Sequence, residues 1–163
     1  MPPARGGSRV RGPVSAGITG RRTGGPARTT GLLGLWDLPC VAASARTARG
    51  HVRARLREET FHGDLDTVSL LVSELVTNSV RYSESGLAAR PGTVSVVLAR
   101  DARFAEIDVI DAGSRWSTPT VLHLPLGAER GRGLRLVREF SASWGVVIDA
   151  SGCCVWFRVP WDG

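Results

Sequence analysis

The chain has 163 residues, 42% hydrophobic and 22% charged, enough for one domain with a core and too few for two. No apolar run approaches the roughly 18 residues of a membrane-spanning helix, and the opening MPPARGGSRVRGPVSAGITGRR lacks a signal-peptide core, so a cytoplasmic chain without membrane contact is expected. The net charge of +6 does not mark a nucleic-acid-binding body: residues 1–30 hold six arginines (Arg5, Arg9, Arg11, Arg21, Arg22, Arg28) and no acid, while the rest is balanced at 15 arginines against 15 acids.

Residues 1–30 are rich in Gly, Pro and Arg with no aromatic residue, and such a stretch cannot offset chain entropy by burial. It is expected to be a disordered tail, and 31–163 a single domain. In chain order, GLLGLWDLP (31–39) reads as a strand closed by Pro39. Residues 42–59 read as a helix with Ala42, Ala45, Val52 and Leu56 on its apolar stripe. Asp64 is placed to cap a second helix, 65–83, whose Leu65, Val68, Val72, Leu75 and Val76 recur at helical spacing. GLAARPG (86–92) reads as a loop. Residues 93–99 and 104–111 read as strands joined by a turn at Asp101, and 112–130 as a long loop of the kind that usually serves function. Gly133 to Phe140 reads as a helix, and 146–149 with 153–159 as a hairpin. The pattern predicts an α+β fold, a two-layer sandwich with helices on one face of a mostly antiparallel sheet. Cys40, Cys153 and Cys154 show no metal-ligand spacing and are expected to be free thiols.

Three blocks carry chemistry. In Ser73-Glu74-Leu75-Val76-Thr77-Asn78-Ser79-Val80-Arg81-Tyr82, Glu74 and Asn78 lie about 40° apart on a helix, with Arg81 on the same stripe. A carboxylate and an amide oxygen one turn apart can hold a hard cation and orient a water, although such pairs also occur on solvated helix faces. In Ile107-Asp108-Val109-Ile110-Asp111-Ala112-Gly113, strand alternation puts Asp111 on the face of Ala105, Ile107 and Val109. A carboxylate ending an apolar row needs a donor, such as a purine amino group, and Gly113 allows a flat ring to come close. An Asp at a strand end also simply starts turns. In Glu129-Arg130-Gly131-Arg132-Gly133-Leu134, two glycines before a helix expose N–H groups to phosphate oxygens. No Lys-Ser/Thr follows as in a P-loop, and no strand leads in as in a dinucleotide fold.

Each block alone is weak. Together and in order, Glu-Leu-Val-Thr-Asn (74–78), Asp-Ala-Gly (111–113) and Gly-Arg-Gly-Leu (131–134) resemble the asparagine box and the two glycine boxes of the GHKL ATPases, among them gyrase, MutL and the histidine kinases. With Trp36-x-Leu38-Pro39 and Val155-Trp156-Phe157-x-Val159-Pro160, residues 31–161 resemble the stand-alone anti-sigma-factor serine kinases, in the ATP-binding regulator form abundant in actinomycetes. The resemblance implies a Bergerat-type fold with ATP and Mg²⁺ as cofactors. It implies Glu74 as general base or water-polarising carboxylate, Asn78 as Mg²⁺ ligand and Asp111 as acceptor from the adenine amino group. Gly113 would lie beneath the purine, segment 114–130 would form a lid, and Gly131, Gly133, Leu134 and Arg81 would complete the nucleotide site.

Two departures stand out: Gly152-Cys153-Cys154 carries neither the usual Lys nor the following hydroxyl, with Cys154 at the hydroxyl's place, and the lid is rich in apolar residues (Trp116, Val121, Leu122, Leu124, Leu126). The resemblance implies an Mg-ATP-dependent protein serine/threonine kinase that phosphorylates an anti-anti-sigma partner and sequesters a sigma factor, with room for a homodimer. An inactive ATP-binding scaffold is the alternative. A detached histidine-kinase domain is a third, with His51, His62 and His123 all inside the domain and no room for a phospho-accepting helix pair.

Overall fold

The computed structural model describes residues 31–114, 132–150 and 152–162. Strands β1 (Gly31–Pro39), β2 (Thr93–Arg100), β3 (Phe104–Asp111), β4 (Ser143–Asp149) and β5 (Gly152–Pro160) form one sheet in the order β1-β2-β3-β5-β4, every neighbouring pair antiparallel. Helices α1 (Ala43–Glu58), α2 (Leu65–Tyr82), α3 (Glu84–Leu87) and α4 (Arg132–Phe140) complete the described chain. The fold is the expected α+β two-layer sandwich. Residues 1–30, most of the segment expected to form a lid, and Gly131 lie outside the described residues.

Helix α2 starts where a side chain can satisfy its first donors. Asp64 Oδ1 accepts the N–H groups of Asp66 at 2.9 Å and Thr67 at 3.1 Å, and Oδ2 accepts the Thr67 hydroxyl at 2.7 Å. These bonds hold the Asp64 carboxyl below its ordinary pKa. From that cap the helix buries Val68, Leu71, Val72, Leu75 and Val76 against the sheet. Helix α1 keeps Ala45, Val52 and Leu56 of the expected stripe against the core and departs from it at its start. Ala42 is an exposed N-cap without a side-chain cap, and the buried row is Ser44, Ala48, Val52 and Leu56, one residue in four. Ser44 fits there because its hydroxyl donates to the Pro39 carbonyl at 2.5 Å.

The helix-covered face of the sheet carries Val96 and Leu98 of β2, Ala105, Ile107 and Val109 of β3, and Phe157 and Val159 of β5. Asp111 ends this row, in register with Cys153. Two elements differ from the sequence reading. The first half-turn of the expected 86–92 loop belongs to α3, capped by Ser83, whose hydroxyl accepts the Gly86 N–H at 3.4 Å. Strand β4 starts at Ser143, three residues early, because Gly145 lets the Trp156 indole lie across it: a Cβ there would stand 2.7 Å from the ring.

Candidate nucleotide site

Helix α2 presents Glu74 and Asn78, both half-buried, one turn apart toward the start of α4. At Gly133 in the first turn of α4, a Cβ would stand 2.8 Å from Asn78 Nδ2 and 3.1 Å from Glu74 Oε2. A Cβ here would push both side-chain ends aside, so the glycine lets Glu74 and Asn78 lie directly against the first turn of α4. The first and third sequence blocks are thus brought together. The N-terminal end of a helix, with its partial positive charge, lies against a carboxylate and an amide. Leu134 turns the other way into the core, at 6% exposed. Arg81 lies exposed near the far end of α2.

The second block approaches the same helix. Asp111 Oδ1 accepts the Gly113 N–H at 2.7 Å, a turn that requires the left-handed backbone of Gly113 at φ 75°. The Ser79 hydroxyl, one residue beyond Asn78, lies beside the Asp111 carboxyl and favours its ionised form. Burial nevertheless dominates and pushes the Asp111 pKa above its ordinary value. A carboxylate in such surroundings gains from a further donor.

Two thiols flank it. Burial, then the Asp111 charge, pushes Cys153 up to about 12, and burial likewise raises Cys40, with the Ser83 hydroxyl opposing. Both are neutral thiols at physiological pH, and none of the three cysteines forms a disulfide among the described residues. Cys154 was the expected replacement for the family's hydroxyl, and here the register corrects the sequence reading. Cys154 pairs with Ile110 and faces the other side of the sheet, so the side chain standing by Asp111 is that of Cys153.

Ser79, Ser83 and Ser85 all take part in this end of the site, and sequence reasoning missed them. A serine in or after a helix carries no periodic signal, and only the tertiary placement of the 111–113 turn gives it a role. The Ser85 hydroxyl accepts the Ala112 N–H at 3.0 Å, and the Glu84 N–H donates to the Gly113 carbonyl at 2.7 Å.

The chain belongs to the histidine kinase-like ATPase domain family, whose model matches residues 38–159. Among solved structures, the RsbU and RsbW domains of Rv1364c from Mycobacterium tuberculosis share its fold, with a TM-score of 0.57 and 20% identity over 77% of this chain and 32% of that one. The chain therefore spans about a third of that structure's length. No curated protein matches it significantly.

An ATPase-domain family makes ATP the ligand against which the donors are weighed. Asp111 offers an acceptor for an exocyclic amine, and the first turn of α4 offers N–H groups for phosphate oxygens. Among the described residues no three His, Cys, Asp or Glu side chains gather as a cage. Mg²⁺ needs none, since one or two protein oxygens suffice when phosphate supplies others. Among the described residues no helix is long and apolar enough to cross a membrane.

Proposed function

We propose that the chain binds Mg-ATP between α2, the end of β3 and the first turn of α4, and acts in the cytoplasm as an anti-sigma-factor-type protein serine/threonine kinase. Its protein substrate is an anti-anti-sigma partner, and in its other state it sequesters a sigma factor. One observation carries the reading: within six residues of α2, Glu74 and Asn78 meet Gly133 while Ser79 meets Asp111. A single rigid helix so relates a phosphate end to a purine end.

The residue roles in this reading are those the family resemblance implies. Asp111 accepts from the adenine amine, and Gly113 admits the ring. The first turn of α4 supplies N–H donors to the phosphates. Mg²⁺, when bound, neutralises phosphate charge, and Asn78 with its amide oxygen is the residue placed to hold it. In transfer, the partner's serine oxygen bonds to the γ-phosphorus as the bond to the ADP oxygen breaks. The hydroxyl proton passes to the Glu74 carboxylate. Phosphoryl transfer asks mainly for this kind of positioning.

The test is single-turnover transfer from ATP to candidate partner serines. Glu74→Ala is expected to leave ATP bound and to slow transfer about 10²–10⁴-fold, the range for a lost general base. The scaffold reading has its own support in Cys153, which puts a neutral thiol beside Asp111. It wins if the wild type binds ATP and no partner is ever phosphorylated.

A further inference from the structure

The turn that carries Asp111 is held from both sides by two serines to which the three sequence blocks assign no role. On the side-chain side stands Ser79, 5% exposed, whose hydroxyl lies against the carboxyl. On the backbone side stands Ser85, also 5% exposed, whose Oγ accepts the Ala112 N–H at 3.0 Å. The neighbouring Glu84 N–H reaches the Gly113 carbonyl at 2.7 Å, and the Gly113 N–H closes back on Asp111 Oδ1 at 2.7 Å.

Ser85 is itself anchored. Its carbonyl accepts the Gly92 N–H at 2.7 Å, which ties α3 to the start of β2, and a Cβ on Gly92 would come within 3.0 Å of the Ser85 Cα. At the other end, the Ser83 hydroxyl donates to the Ser79 carbonyl at 2.6 Å. The segment 79–85 is thus one strap running from α2 across α3, gripping residues 111–113.

We propose that Ser79 and Ser85 are positioning residues that fix the direction of the Asp111 carboxylate and thereby select a purine bearing a 6-amino group over one bearing a 6-oxo group. The inference rests on the ATP-site reading and adds its specificity device. A 6-amino group donates to a carboxylate, whereas a 6-oxo group sets two acceptors against each other. The 6-oxo purine keeps a ring N1–H as donor, so a carboxylate free to turn or shift could accept from it instead. Discrimination therefore requires the acceptor to be held still. Ser79 limits the carboxyl's rotation, and Ser85 limits the travel of the turn that bears it.

The experiment is titration of the full chain with Mg-ATP and with Mg-inosine triphosphate, for wild type, Ser79→Ala and Ser85→Ala. Each serine variant is expected to lose about two- to tenfold in ATP affinity, the effect of one hydrogen bond. Inosine triphosphate affinity should hold or improve, so the preference for ATP falls. In an Asp111→Asn background neither serine substitution should change the preference further, since both act through that carboxylate. The two variants remove different contacts, so whichever keeps the wild-type melting temperature carries the test. An ATP preference unchanged in that variant, or equal weakening toward both nucleotides, overturns the inference and leaves the ATP site standing. A wild type that binds neither nucleotide overturns the ATP reading, and the inference with it.

Discussion

Asp111 shows how a single residue can trade stability for recognition. Burial raises its carboxyl above the ordinary 3.8, against the pull of Ser79 and the Gly113 N–H. The folded chain therefore holds a proton there more readily than the unfolded chain does. Its contribution to stability is fullest below pH 3.8 and is lost as pH rises through the folded value. In the nucleotide-free protein at pH 7, Asp111→Asn should thus melt no lower than wild type, and any advantage should shrink as the pH falls toward 3.8. The same variant should lose about 1.5–3 kcal/mol of ATP binding, the worth of a charged hydrogen bond. Thermal melts across pH and a nucleotide titration check the two halves. A wild type more stable than the variant at pH 7 would show that the carboxylate already has enough donors of its own.

At the scale of elements, α2 is the part most fully expected from sequence. Its cap and its buried stripe are local features, written in Asp64 and in the spacing of Val68, Val72, Leu75 and Val76. Asp64→Ala should cost about 0.5–2 kcal/mol of stability through the lost cap while leaving ATP affinity intact. Elements that depend on a distant partner were harder to read. Gly145 looks like a loop residue until Trp156 from the next strand lies over it. The four residues of α3 are too few to show a period. The stripe on α1 differs only at its start, where Ser44, polar by type, is buried through its bond to Pro39 while Ala42 is exposed. The same limit applies in the site. Glu74, Asn78 and Asp111 stand out by residue type and spacing, whereas Ser79 and Ser85 acquire meaning only from the turn they touch. The Cys153–Cys154 choice needed the strand register.

The meeting of α2 with α4 offers another element-scale test. Gly133→Ala places a methyl group 2.8 Å from Asn78 Nδ2, the end of a flexible side chain that can turn aside at little cost to the fold. Melting temperature should change little while Mg-ATP affinity falls, because the methyl displaces the side-chain ends assigned to the phosphate end. Unchanged binding in a folded Gly133→Ala protein would show that α4 reaches the nucleotide by another route.

For the whole molecule, the charge distribution separates the positive excess from the domain. The arginines of residues 1–30 account for the net +6, and the remainder is neutral. A chain lacking residues 1–30 should keep its melting temperature and its ATP affinity, as followed by thermal melts and titration. A drop of several degrees would show that this segment docks on the domain. The order β1-β2-β3-β5-β4 sets β5 beside β3 and so brings Cys153 to Asp111, while α2 runs past both ends of the proposed nucleotide. No local motif contains that arrangement.

The account depends most on Mg-ATP being held by the residues that α2, β3 and α4 bring together. Calorimetric titration of wild type, Asn78→Ala and Asp111→Asn with ATP, in the presence and absence of Mg²⁺, tests this directly. The expected result is one saturable site in the wild type whose affinity rises with Mg²⁺. Asn78→Ala should lose most of that Mg²⁺ dependence, and Asp111→Asn should lose affinity whether or not the metal is present. No binding by a folded wild type, or variants that titrate as the wild type does, would contradict the account.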